Sequence, residues 1–457
     1  MKPTILETIA AWSGGALARG DGGAVVAAVS TDTRSIPPGA LFVALAGENF
    51  DAHDFLQQAA AAGAAALMVS RREGWPEGPA IIRVDDTLAG LQRLARNYRR
   101  DWGGTVVGLT GSNGKTSTKD LTHAVLRGRG QVSATKGNLN NHVGLPLTIL
   151  SIAAEDRIAV CEMGMNHPGE IAPLAAIAAP DVAIITNVGT AHIEFMGTRE
   201  AIAVEKGMLV EAVHEGGCVI LNANDDFTSS LARRSQAPVL TAGIEAGDIR
   251  ITGLVTDGTG SRFILHLPDQ TSAPVHLPVP GRHMAGNAAL AAAAGFHFGM
   301  RIEEIAAGLE SAELTKGRLQ MRRAGGLTII DDTYNASPDS SAAALETLAG
   351  FACTGRRIAV LGRMAELGVH SQEAHLALGK AVHQRGIDLL FTSGTSEARL
   401  IVEGFLAAGG NPGAVRAFDD HTACAAGLRR EATAEDIILI KGSRSTAMEK
   451  IISLLTD

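Results

Sequence analysis

Short apolar runs alternate along this chain with stretches whose apolar positions recur every three or four residues, nearly from end to end. The runs predict strands over 104–109, 157–161, 181–186, 218–221, 327–330, 357–361, 388–392 and 436–440. Strands separated by helical stretches imply α/β units with largely parallel sheets. Residues 248–280 break the rhythm and read as a short β-rich insertion punctuated by Gly and Pro. Two segments read as breaks between units: "RRDWGG" (99–104), a candidate hinge, and the charged, glycine-bearing "TKGRLQMRRAGG" (315–326). With 457 residues and roughly 150 per domain, three α/β domains are expected, over 1–103, 104–316 and 317–457. In the third, Ser337 and Pro338 form a helix start and Gly350 a helix stop.

Composition narrows the class. Hydrophobic residues at 46% and charged residues at 19% describe a globular chain able to bury several cores. A net charge of −8 with only 2 Tyr and 3 Trp argues against a nucleic-acid partner, but leaves small anions open. Cys161, Cys218, Cys353 and Cys424 form no Cys-x-x-Cys pair, which argues against a zinc knuckle or disulfide framework and suits a reducing compartment. The N-terminus lacks a signal-peptide layout, and the bland run 59–69 is short of the roughly 20 residues that span a bilayer. The expectation is a soluble cytoplasmic protein with no membrane insertion.

The candidate chemistry begins at "TVVGLTGSNGKTSTKDLTHAVL" (105–126). An apolar strand runs into Gly111-Ser112-Asn113-Gly114-Lys115-Thr116-Ser117 and then a helix with Leu121, Ala124 and Val125 expected inward. Glycines let backbone N–H groups turn toward a phosphate, and the helix N-terminus adds its positive end. Lys115 then reaches terminal phosphates, and the Thr116 hydroxyl suits a Mg²⁺ position. The strict Gly-x-x-x-x-Gly-Lys-Ser/Thr spacing fails, because it places glycine where Leu109 stands. "RIAVCEMGM" delivers Glu162 to the end of a strand, where a hard carboxylate oxygen suits Mg²⁺, although a capping or solvent-facing Glu reads from the same pattern. Taken alone, His192 is a structural histidine and Lys206 a solvated helix lysine; periodicity promotes neither. Asp331 and Asp332 end a strand, where α/β sheets bind ligands. Lys441, Ser443 and Arg444 follow another strand and suit a peptide carboxylate, with an ordinary basic turn as the alternative.

In order along the chain, "TGSNGKTST", "KGNLNNHVGLPLTIL", "EMGMNHPGEI", "TNVGTAHIEFMG", "LNANDD", "PGRHMAGNAALAAAA" and "KGRLQM" resemble the Mur ligase family of ATP-dependent amide-forming enzymes. The resemblance spans nearly the whole chain. It implies a small N-terminal α/β domain for a UDP-linked substrate, a central P-loop ATPase-type domain and a C-terminal Rossmann-like domain for the amine. "DDTYNASPDS", "AVLGRMAELGVHSQEAH" and "IKGSRSTAME" are similar to the members that join D-alanyl-D-alanine to UDP-N-acetylmuramoyl-tripeptide, and "STDTRSIPPGALFVALAGENFDAHDF" looks like the UDP-substrate domain.

Carried over residue by residue, the resemblance implies ATP contacts from Gly111 to Ser117, His283, Asn287 and Arg318. It implies one Mg²⁺ at Thr116 and Glu162 and a second at His192 and Lys206, with Lys206 carbamylated so that it presents oxygens. Lys115, Lys206, His192, Arg318 and Asp332 carry the catalytic roles. Ser30, Thr31, Asn138, Asn141, Asn335, Lys441 and Arg444 are the expected substrate contacts, and a monomer is the expected state. One position departs from the family: Arg363 stands in Leu-Gly-Arg-Met where Leu-Gly-Asp-Met is usual. Another Mur-type amide ligase, amino-acid-adding or resembling folylpolyglutamate synthetase, and a non-catalytic P-loop nucleotide-binding protein are the alternatives.

Overall fold

A computed structural model describes residues 1–394 and 396–456. Three main sheets follow one another along the chain. The first has strand order Ala16–Arg19, Ala80–Arg83, Ala66–Val69, Leu41–Val43, Val29–Ser30, antiparallel only at its first pair. Alternation divides its side chains between two cores. Leu41, Val43, Met68 and Ile82 face the helix Thr87–Trp102, whereas Phe42, Leu67, Val69 and Ile81 cover Leu56 and Ala59.

That helix is capped by the Asp86 carboxylate and ends at Gly103, φ 71°. It also anchors the first unit to the second. The buried Tyr98 hydroxyl donates to Ile152 O at 2.6 Å, and Arg99 donates to Ala178 O and pairs with Asp181 at 2.9 Å. The stretch expected as a hinge is therefore pinned on its helical side, because a buried guanidinium must keep its partners.

The second sheet runs Ser272–Leu277, Gly260–His266, Ile249–Asp257, Val239–Ile244, Cys218–Asn222, Val182–Ile185, Thr105–Thr110, Ile158–Glu162, Val132–Ala134. It is parallel except at one edge, where Gly260–His266 and Ser272–Leu277 fold back antiparallel. Residues 248–280 are thus not a separate insertion. Ile249, Ile251, Phe263, Leu265 and Val275 extend the central core.

Behind this sheet the alanine-rich helix Arg282–His297 lies against the helix Lys115–Leu126. A small residue allows the close approach, since a Cβ on Gly295 would stand 2.7 Å from Val125; the helix Ile302–Glu310 packs on the same residue through Gly308, where a Cβ would stand 2.6 Å from the Val125 backbone. Leu121 and Val125 are inward as expected, but Ala124 is only partly buried, and Thr118 and Thr122 fill the inner face instead.

The third sheet has order Gln320–Ala324, Leu327–Asp332, Ile437–Lys441, Arg357–Leu361, Leu389–Ser393, Val415–Phe418, parallel after its first hairpin. The expected break at 315–326 contains that first strand, turned by Gly325 and Gly326 at φ 56° and 80°. Ser337 caps the helix Pro338–Gly350 through Ser340 N, with Pro338 at its first position. Among the described residues no helix is long and apolar enough to cross a membrane.

Candidate active site

The strand Thr105–Thr110 lies inside its sheet, between Val182–Ile185 and Ile158–Glu162, and the next four residues turn the chain into a helix beginning at Lys115. Gly114 has φ 79°, and a Cβ there would lie 2.8 Å from Asn287 Oδ1. At Gly111 a Cβ would fall 1.8 Å from Thr186 Oγ1. Gly111→Ala should therefore distort the loop and remove ATP-analogue binding while the far ends of the sheet stay folded; titration calorimetry with a thermal melt checks both halves. Lys115 Nζ donates to Gly111 O at 2.7 Å, curling over its own loop. Burial holds its ammonium below the usual lysine range, against the opposing pull of Glu162.

Thr116 Oγ1 donates to Glu162 Oε2 at 2.9 Å, and Asn140 Nδ2 donates to Glu162 Oε1 at 2.8 Å. From the third sheet's leading segment, Arg318 Nη2 donates to Thr116 Oγ1 at 2.8 Å, its guanidinium 4.2 Å from the Tyr334 ring centroid. Hydroxyl and carboxylate are the hard oxygen donors that Mg²⁺ takes, usually beside waters and phosphate oxygens, so this pair fits one ion. The second expected pair fits only with chemistry added. His192, φ 64°, places Nδ1 2.6 Å from Glu366 Oε2, a close charge contact that lies off the ring's hydrogen-bonding direction. Lys206 is 1% exposed and makes no ion pair or hydrogen bond among the described residues. Burial, then the Lys115 charge, push its pKa well below the usual value. No group of three or more His, Cys, Asp and Glu gathers as a metal cage among the described residues.

One cavity of about 960 Å³ joins the central and third sheets. Ser112, Asn113, Gly114, Lys115, Thr116, Ser117, Asn138, Asn141, Glu162, His192, His283 and Asn287 line it from one side, and Arg318, Asp332, Asn335, Lys441 and Arg444 from the other. Gly111, Lys206, Ser30 and Thr31 do not reach its wall. Gly111 lies behind the loop, Lys206 is enclosed, and Ser30 bonds to the Asp32 backbone within the first sheet's domain. The Asn141 carboxamide is occupied at the start of a helix, accepting from Val143 N and Gly144 N.

Lys441 is only 2% exposed; its Nζ lies 2.6 Å from Asp332 Oδ2 and donates to Asn335 O at 2.9 Å. Its charge is already answered in a buried pair, whereas Arg444, 66% exposed and paired with Glu449 at 2.9 Å, holds a weak surface partner that a substrate carboxylate can replace. His283 faces this pair; burial pushes its pKa down to about 4, Asp332 opposing and Lys441 assisting. Arg363 is off the cavity wall and pairs with Glu397 at 3.2 Å on the helix Ser396–Ala407, so the departure from the usual carboxylate is met by a carboxylate of this chain. Sequence reasoning missed Asn140, Tyr334, Ser337, Asp339 and Glu366, all on the cavity wall. Asn140 sits inside the quoted "KGNLNNHVG" run, but only the Glu162 contact singles it out.

Three α/β sheets, a phosphate loop and a third-domain arginine reaching its threonine define an ATP-using ligase architecture, and the chain belongs to the Mur ligase family. Residues 25–99 match the family's catalytic domain, 109–295 the Mur ligase middle domain, and 317–444 the Mur ligase glutamate ligase domain. The chain is 38% identical over 435 residues to UDP-N-acetylmuramoyl-tripeptide–D-alanyl-D-alanine ligase of Bacillus subtilis, covering 95% of this chain and 94% of that enzyme. Its structure matches MurF from Acinetobacter baumannii with a TM-score of 0.91 at 31% identity, covering 100% of both chains. MurF ligase from Thermotoga maritima in complex with ADP matches with a TM-score of 0.83 at 31% identity, over 94% of this chain and 97% of that one.

Proposed function

We propose that this chain is an ATP-dependent ligase that adds D-alanyl-D-alanine to UDP-N-acetylmuramoyl-tripeptide, giving the pentapeptide precursor of peptidoglycan. The observation that carries the reading is the single cavity shared by the phosphate loop and the third sheet's Asp332, Asn335 and Arg444. Full-length likeness to enzymes of that name supports the choice of acid and amine. We assign the UDP-linked substrate to residues 1–103, with Ser30 and Thr31 as contacts, ATP to 104–316 and the amine to 317–457.

Amide formation from a carboxylate in water is uphill, so the acid must first be activated. The tripeptide's terminal carboxylate oxygen attacks the γ-phosphorus of ATP, and ADP leaves, giving an acyl phosphate. The dipeptide amine then attacks the acyl carbon, inorganic phosphate leaves, and the amine gives up its proton. Lys115 of the loop itself and Arg318, reaching it from the third domain, offset charge on the transferring phosphoryl group. Glu162 and Thr116 would hold a Mg²⁺, with Asn140 orienting the carboxylate. His192 and a carbamylated Lys206 would serve a second. When bound, these ions neutralize phosphate charge. Enclosure between domains keeps water from the acyl phosphate. ATP and a UDP-linked substrate suit a cytoplasmic reaction, and we propose a monomer, since both halves of the cavity come from one chain and no second copy is needed to complete it.

An amine panel with saturating tripeptide tests the substrate choice. ADP release is expected with D-alanyl-D-alanine and not with D-alanine, D-glutamate or L-glutamate; preference for a single amino acid would make this a sister ligase. Arg444→Ala should raise the dipeptide KM by about tenfold or more, the scale of one lost charge-assisted hydrogen bond, while the ATP KM stays put.

A further inference from the structure

The loop 187–192, which carries His192, is held from both sides of the cavity. On the central side, Asn113 N donates to Asn187 Oδ1 at 2.9 Å, Asn187 Nδ2 donates to Asn113 O at 3.0 Å, and Val188 N donates to Asp225 Oδ2 at 2.7 Å. The first two bonds tie the loop to the phosphate loop, and the third ties it to the turn after the strand Cys218–Asn222.

The other grip comes from the third domain. Asp339, in the first turn of the helix Pro338–Gly350, accepts from Thr190 N at 2.8 Å and from Thr190 Oγ1 at 3.0 Å through the same oxygen, Oδ2. Two residues earlier, Ser337 Oγ donates to Asn113 Oδ1 at 2.8 Å. The fit tolerates nothing extra: a Cβ on Gly189 would stand 2.3 Å from Asp339 Oδ2 and 3.2 Å from Asp339 Cγ.

We propose that Asp339 is a positioning residue for the ligation step. It touches no reacting atom. By gripping Thr190 across the bare backbone of Gly189, it seats the amine domain on the loop that carries His192 and is tied to Asn113. The acyl-phosphate and amine sites come into register only in that seating, since reacting groups must be held close and aligned. With the third domain drawn away Thr190 would lose this partner, so the grip acts on turnover, not on ATP capture. This assignment rests on the ligase reading, and wild-type ligation is therefore measured first. Absence of wild-type ligation would sink that reading; normal ligation by the variants would sink only this one.

The experiment compares wild type, Asp339→Ala, Asp339→Asn, Gly189→Ala and the double variant Gly189→Ala/Asp339→Ala. Steady-state ligation kinetics, ATP-analogue affinity, and small-angle scattering with ATP analogue and tripeptide bound are read for each. Asp339→Ala is expected to lower kcat by about tenfold, the scale of losing hydrogen bonds to a charged acceptor, with ATP-analogue affinity unchanged and the liganded particle left expanded. Gly189→Ala should cost more, because the added methyl collides with the carboxylate. In the double variant the 2.3 Å collision is gone and only a 3.2 Å approach to Asn113 Nδ2 remains, so its kcat should return close to the Asp339→Ala level instead of multiplying the two losses. Should Asp339→Ala melt early, Asp339→Asn, which keeps the shape and one acceptor oxygen, should fall between it and wild type. Wild-type kcat and wild-type compaction in Asp339→Ala or Asp339→Asn would overturn the proposal, as would a double variant whose losses multiply.

Discussion

Lys115→Ala is expected to abolish ligation while leaving the protein folded. The side chain contributes little to any core: it curls over Gly111 O and Ser112 O at the mouth of the cavity. Its ammonium is held there under desolvation, which lowers its pKa while Glu162 supports the charged form. A phosphate group arriving at the loop replaces those carbonyl contacts with a full negative charge, so the interaction strengthens as charge builds on the transferring group. Removing one such preorganized donor typically costs on the order of 10²–10³-fold in rate. ADP release under saturating substrates measures the loss, and an unchanged melting curve shows that the fold is retained. Near-normal turnover by folded Lys115→Ala would remove the phosphate-loop assignment.

Lys206→Ala should be nearly as damaging, for a different reason. The periodicity of "AIAVEKGMLVEAV" reads as a solvated helix lysine, yet the structure buries Lys206 to 1% exposure on the helix Arg199–Glu211 with no counter-charge in contact. Burial and the Lys115 charge drive it toward the neutral amine. A neutral amine is the form that adds CO₂, giving a carbamate and releasing a proton, and the added carboxylate would supply the oxygens that the amine lacks. Lys206→Arg should fail as well, since guanidinium stays cationic. Short carboxylic acids should restore part of the Lys206→Ala activity by supplying the missing oxygens. Labeling with ¹³C-bicarbonate gives an independent readout, a carbamate carbon resonance in wild type that is lost in both variants. Wild-type activity in either variant would return Lys206 to a structural role.

Both expectations depend on how far local sequence reaches. Periodicity and turn chemistry act over a few residues, so the parallel strands, the Gly111–Thr116 loop and the Ser337–Pro338 helix start were legible in the chain itself. The ordered motifs carried the family and, through it, a set of site residues most of which line the cavity. Residue pattern alone did not reveal Glu162 held by both Thr116 and Asn140, or the charge of Lys441 already spent on Asp332. Nor did it show that 248–280 completes the central sheet: a strand's partner is chosen by packing, not by its own alternation. Arg318 meets Thr116 across 202 residues of sequence, and Asp339 meets Thr190 across 149. Such contacts have no local signature, because they exist only once separate sheets have folded and docked. The chain by itself determined that parallel strands and a glycine-rich loop of phosphate-binding type form; tertiary packing alone decided that Lys206 is desolvated, that Lys441 is spent on Asp332, and that Gly189 lies bare against Asp339.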